Sequence, residues 1–299
     1  MSFYISDGKY IRFKYGEKLM VVMFREDMEP ENPRQDMEPL GKMVCWHGRY
    51  RLGDRHDYRD PEDFLRGLTR EIISWELIAG KIINGETQMK VVRDDNPENE
   101  IPFSLVVPYI LPWKGEYEIC KAKTVDELFS QFNRDAILED LTTTELHGFL
   151  QESDNIVLLP LWLYDHSGIS MSTSHTYPYT DRWDSGQVGW IYLSRERFLQ
   201  ETGYNEAQWP EKAREMLVGE VEVYDQYLRG EVFGYQVFIF DEETDVWEET
   251  DESCWGFYGD DLMENGILDN IDGLKEAIES EQYETGQARE VTITSYEFD

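Results

Sequence analysis

Cysteine, histidine, long apolar runs and, toward the carboxyl end, positive charge are all scarce in this sequence, and each shortage removes a class of protein. The three cysteines, Cys45, Cys120 and Cys254, are odd in number, far apart and without CxxC spacing. That pattern argues against a disulfide framework and for reduced structural thiols in a cytoplasm. The longest apolar stretches, near Ser104–Leu111 and Ile156–Tyr164, fall short of the roughly 20 residues a membrane helix needs. Met1 to Asp7 hold neither a basic n-region nor an apolar h-region, so no secretory signal is expected.

Bases are rarest in the last third. Residues 201–299 carry 28 acids and 5 bases, whereas residues 1–200 carry 34 and 23, within a total of −34. Such charge repels phosphate backbones and anionic lipid headgroups over a Debye length of about 8 Å. It attracts basic protein surfaces and speeds encounter with them. No direct nucleic-acid partner and no membrane partner are expected. Lys and Arg are not depleted in the first two hundred residues, which speaks against halophilic adaptation.

What is present suffices for a core: 40% hydrophobic residues, with 9 Trp, 18 Tyr and 14 Phe. Lys9–Tyr15 alternates with period two and Leu19–Phe24 follows the Gly16 turn, a hairpin. Residues 25–39 are acidic and proline-rich and read as a loop. Asp60-Pro61 opens a helix whose apolar residues recur at helical spacing until Gly80. Thr124-x-x-Glu127 and Thr142-x-x-Glu145 are capping boxes. Ile156–Tyr164 reads as a buried strand, 165–190 as a long polar loop containing a short strand at Gly189–Leu193, and Arg195–Thr202 and 210–217 as helices. Glu220–Tyr224 and Phe233–Phe240 read as strands, Asp241–Glu252 as a solvated acidic loop, 272–281 as a helix, and Glu290–Phe298 as a last strand. The expected class is α+β, with largely antiparallel sheets, several short helices and long loops. The charge shift divides the chain into an N-terminal part, 1–155, and an acidic C-terminal part, 156–299, or leaves it one continuous domain.

Catalytic motifs are few. In Asp165-His166-Ser167 the histidine faces away from its neighbours in extended chain, so the three cannot relay a proton, and no Gly-x-Ser-x-Gly elbow or phosphate-binding glycine loop occurs. The five histidines form no metal-binding pair by spacing, so no metal or cofactor is expected. Asp165, His166, His175 and Asp184 in the polar loop 165–184 leave one enzymatic alternative open, a metal-assisted hydrolase. The cluster Arg49, Arg51, Arg55 and Arg59 could bind an anion, but pairing with carboxylates of the acidic C-terminal third or of another subunit is expected instead. Asp241–Glu252 holds eight acids in twelve residues; on an ordered surface these could imitate the charge of a duplex, which carries about one phosphate per 1.7 Å of axis.

The blocks Glu31-Asn32-Pro33-Arg34, Leu40 to Tyr50, Tyr164-Asp165-His166-Ser167-Gly168, Trp183-Asp184-Ser185-Gly186-Gln187-Val188-Gly189 and Ser253-Cys254-Trp255-Gly256-Phe257-Tyr258-Gly259 resemble a family of proteins encoded by phages, plasmids and integrative elements. In size and acidity the chain is also similar to phage anti-defence proteins, among them the kind directed at the Gabija system. The resemblance implies a non-enzymatic homo-oligomeric inhibitor, in the cytoplasm of a bacterial host, that coats a DNA-targeting defence nuclease and blocks DNA access. The residues expected to bind that partner are Asp241, Glu242, Glu243, Asp245, Glu248, Glu249, Asp251 and Glu252 for steering, with Trp247, Trp255 and Tyr258 for docking. A structural or assembly protein of the mobile element is the blander alternative.

Overall fold

A computed structural model describes residues 2–109, 114–130, 134–174, 178–180, 183–292 and 295–298. The first elements are β1 (Lys9–Tyr15), β2 (Lys18–Glu26), β3 (Lys42–Cys45), α1 (Pro61–Ile72), α2 (Trp75–Ile83), β4 (Lys90–Arg93), β5 (Phe103–Pro108) and β6 (Glu116–Ala122). Then come α3 (Val125–Ser130), α4 (Arg134–Asp140), α5 (Thr143–Gln151), β7 (Ile156–Asp165), β8 (Ile169–Thr173), β9 (Ser185–Ser194), α6 (Arg195–Glu201) and α7 (Glu211–Arg229). The chain ends with β10 (Val232–Asp241), β11 (Val246–Tyr258), α8 (Leu274–Glu279), β12 (Tyr283–Gln287), β13 (Arg289–Thr292) and β14 (Ser295–Glu297). The strand pairings are antiparallel, and the fold is α+β as expected.

Two compact units divide the chain by spatial proximity rather than by a single cut. One comprises Met1–Pro39, Leu161–Gln187 and Val218–Asp299; the other comprises Leu40–Pro160 and Val188–Leu217. Strands β7 and β9 and helix α7 each give residues to both.

The first unit is built on a five-stranded sheet in the order β11-β10-β2-β1-β12. Its central strand β2 is buried from Met20 to Phe24, which explains why that segment is uniformly apolar rather than alternating. Met20, Val22 and Phe24 face one cluster with Ile11, Phe13, Val237, Leu268 and Leu274. Val21 and Met23 face a smaller cluster with Tyr10, Phe238 and Phe298.

The second unit packs α1, α2 and α5 with strands β4–β6 around Phe64, Leu65, Leu68, Ile78, Ile82, Leu105, Leu146 and Leu150. Asp60 caps α1, accepting the Asp63 N–H at 2.8 Å, and Thr142 with Glu145 forms the expected capping box of α5. Burying these apolar faces stabilises the unit far more than the caps do, at about 25 cal/mol per Å².

Several local expectations are corrected. The helix expected from Asp60 to Gly80 is two helices, because Ser74 leaves the helical path and caps α2 by accepting the Leu77 N–H. Glu220–Tyr224 is helical, not a strand: its Glu-Val alternation conceals the stripe Ala213, Leu217, Val221 and Tyr224, all buried on α7. The loop 165–190 contains β8 and the start of β9. The acidic segment expected as a loop is a turn followed by strand β11, and the expected last strand is split between β13 and β14.

Candidate functional site

The acidic segment owes its order to β10, whose apolar side chains bury on both faces of the sheet and draw β11 into register as its outermost strand. Asp241 closes the turn between them. Its carboxylate accepts the Glu243 N–H at 2.9 Å and the Thr244 hydroxyl at 2.7 Å, and the Thr244 bond above all holds it below the usual carboxylate range. Asp245 supplies the left-handed residue of the turn, at φ 58°. Pairing then runs from Val246 to Glu249 opposite Asp241 to Phe238.

Between Glu249 and Ser253 the strand bulges, placing Thr250, Asp251 and Glu252 opposite Val237. The Thr250 hydroxyl holds the bulge, donating to the Val237 carbonyl at 3.1 Å and accepting the Glu252 N–H at 3.2 Å. Glu242, Glu243, Asp245, Glu248, Glu249, Asp251 and Glu252 are exposed, and Asp241 is half-buried. Glu249 accepts from the Gln236 amide at 2.7 Å. Among the described residues, none of these eight carboxylates is in an ion pair with a base of the chain.

The three aromatics expected to dock a partner have different fates. Trp247 packs against Phe240 at 5.2 Å and Phe298 at 5.5 Å, with the Arg12 guanidinium 5.7 Å from its ring, so it serves the small core. Tyr258 is half-buried and its hydroxyl donates to the Glu31 carbonyl at 2.6 Å, tying β11 to the loop before β3. Burial, with help from Glu31 and Asp27, pushes that phenol up to about 12. Trp255 alone stays open, at 46% exposure. Two groups that sequence reasoning passed over line the same hollow as Trp255: Met28, 84% exposed, and Gln236.

The polar loop behaves differently. Two blocks 18 residues apart meet, since the Asp184 carboxylate holds His166 Nδ1 at 2.8 Å and the Asp184 carbonyl accepts the Asp165 N–H at 2.7 Å. Ser167 and Gly168, at φ 60° and 149°, make the turn that aims His166 back toward Asp184. His175, also expected here, lies outside the described residues. Among the described residues no three His, Cys, Asp or Glu side chains gather as a metal site requires.

The remaining blocks explain themselves by packing. A side chain at Gly189 would start 1.9 Å from the Val44 carbonyl across the β3–β9 pair. Asn32 turns the chain by accepting the Arg34 N–H, and Arg34, almost fully buried, meets Glu220 at 2.7 Å. Of the arginine cluster, Arg59 pairs with Asp60 and Arg49 lies over the Tyr50 ring.

Among the described residues no helix is long and apolar enough to cross a membrane. No family model matches the chain, and no curated protein or solved structure does either.

Proposed function

We propose that the protein is a non-enzymatic inhibitor, encoded by a phage or other mobile element, that occupies the basic DNA-contacting surface of a bacterial defence nuclease. The observation that supports this is the β10–β11 hairpin, whose eight carboxylates have no ion-pair partner among the described residues. An outer strand needs some charge to keep it from pairing with a second chain. Eight acids in twelve residues exceed that need and cost self-repulsion.

Their spacing suits a phosphate-reading partner. A strand rises about 3.3 Å per residue and one DNA strand carries a phosphate per about 3.4 Å of axis. Val246–Glu252 holds four acids and, because of its bulge, spans only the rise of the five residues Val237–Asp241, so it offers roughly four-fifths of the linear charge of one DNA strand. That is enough for steering and register, with aromatic contact supplying the rest. The homo-oligomer and the Gabija-type target suggested by the resemblance belong to the same proposal.

The test is a competition among the purified chain, a DNA-binding defence nuclease and a labelled duplex. The chain should release the DNA, and progressively less so as salt rises; inhibition unchanged at roughly 0.5 M salt would sink the electrostatic mechanism.

One observation favours a second reading, metal-assisted hydrolysis: the His166–Asp184 contact, which would orient the imidazole. It requires a divalent metal retained stoichiometrically and lost, together with biological activity, in a folded His166→Ala variant.

A further inference from the structure

The Gly234–Gln236 face of the five-stranded sheet is covered unevenly. At one end Phe298 and Tyr296 lie over Tyr10, Val21, Met23 and Phe238. At the other end a hollow of about 410 Å³ remains, lined by Arg25, Asp27, Met28, Glu29, Gln236 and Trp255 among others.

Trp255 reaches this hollow through a second irregularity in β11. Phe233 faces Phe257 and Tyr235 faces Cys254, so Trp255 and Gly256 share the place opposite Gly234, with Gly256 at φ 86°. The indole then lies on bare backbone: a Cβ at Gly234 would start 2.4 Å from Trp255 Cε3. Glycine at 234 is therefore what lets the ring lie against the strand, while nearly half of the residue faces solvent. No aromatic or cationic side chain stacks on it among the described residues, unlike Trp247.

The surroundings are anionic. Glu26, Asp27 and Glu29 stand around the hollow, and Glu249 is hydrogen-bonded to its Gln236. Among the described residues its one base, Arg25, is already engaged, with Asp7 at 3.0 Å and the Tyr296 ring at 5.8 Å. An open tryptophan face amid carboxylates suits a planar cation. It disfavours a nucleic-acid base, whose phosphates the same carboxylates repel, and an uncharged apolar segment, which would leave them desolvated.

Resting on the inhibitor proposal, we infer that this hollow receives an arginine side chain of the basic partner, its guanidinium stacked on Trp255 and hydrogen-bonded to the carboxylates of the Glu26–Glu29 segment. Arginine exceeds lysine here because it combines stacking with a donor fork.

The full chain is titrated with a labelled oligo-arginine peptide and with an oligo-lysine peptide of the same length, followed by anisotropy. Arginine should bind more tightly, and Trp255→Ala should weaken it roughly 5- to 30-fold with little effect on lysine. Trp255→Phe, which keeps a ring, should recover part of the loss, and circular dichroism should match the parent. Equal loss for both peptides, or none, overturns the inference, because the whole acidic surface would then be binding any polycation. Tighter binding of an uncharged apolar peptide overturns it too. So does concentration-dependent self-association abolished by Trp255→Ala, which would make a second copy of the chain the occupant. The nuclease competition separates the two proposals: selective arginine binding without DNA release leaves the hollow and removes the inhibitor, and DNA release undiminished in Trp255→Ala does the reverse.

Discussion

The two units solve the same folding problem with very different surpluses of acid. The unit holding the five-stranded sheet has 35 carboxylates against 10 Lys and Arg; the other has 27 against 18. Both bury well-formed apolar clusters, so the surplus is no requirement of the fold.

Both units spend bases on their own acids, and the second has more bases to spend. Lys81 bridges Glu86 at 2.9 Å and Glu152 at 2.6 Å, and Arg70 meets Asp135 at 2.8 Å. Hydrogen bonds that it donates to Glu152 and then Glu86 push the Lys81 ammonium up. The first unit hides one of its few arginines, Arg34, beside Glu220, and among the described residues no base pairs with the eight carboxylates of the β10–β11 hairpin. Under the proposed function, charge that the chain leaves unneutralised serves a basic partner. The hairpin is where the first unit keeps it.

The hardest blow to the acidic unit should come from its scarce buried base. Arg34→Ala removes the buried guanidinium from beside Glu220 and should cost about 3–5 kcal/mol in urea unfolding, with Glu220→Gln recovering part; a cost below about 1 kcal/mol would show the pair to be incidental. In the less acidic unit, Gly189→Ala forces a methyl group against the Val44 carbonyl and should cost about 1–3 kcal/mol by overpacking, read from the same unfolding curves.

The comparison itself is tested by neutralising acids in each unit. Replacing Glu248, Glu249 and Glu252 by Gln and Asp251 by Asn should weaken nuclease competition about tenfold or more while leaving the urea midpoint unchanged or raised. Glu86→Gln with Glu152→Gln should lower that midpoint and leave competition intact. If both sets behave alike, the contrast between spent and kept charge is false.

Acid should act through carboxylates that hold backbone. The Phe3 N–H and, less strongly, the Met263 N–H keep Asp261 below its ordinary value. A carboxylate with a depressed folded pKa stabilises above its unfolded value, near 4, and loses that stability as pH falls through the folded one. Asp261→Asn should therefore flatten the acid limb of stability against pH. The smallest effect belongs to His166→Ala, below about 1 kcal/mol, because the pair with Asp184 is exposed.

Much of the local structure was legible. Asp60-Pro61 and Thr142-x-x-Glu145 announced their helices because capping chemistry is complete within four residues. The β1–β2 hairpin followed from the alternation of β1 and the Gly16 turn. Glu220–Tyr224 misled because five residues of alternation fit a strand as well as a helix face, and only packing along α7 separates them. Ser74 misled in the opposite way, since its choice of cap over helix interior depends on where α2 must go. Of the candidate site, composition gave the carboxylates and named Trp255 among three aromatics, but not which of the three remained open.

By itself, then, the sequence determined the α+β class, the caps, the shortage of bases in the last third and the absence of an apolar stretch long enough for a membrane helix, because propensity, charge and hydropathy are carried residue by residue. Tertiary structure alone decided that the acidic segment is an outer strand, that Arg34 is buried, that Asp184 reaches His166, and that Trp255 lies on Gly234 with its other face open. Those depend on strand order and on bulges that shift register by single residues, and both are settled by long-range pairing that no local window contains.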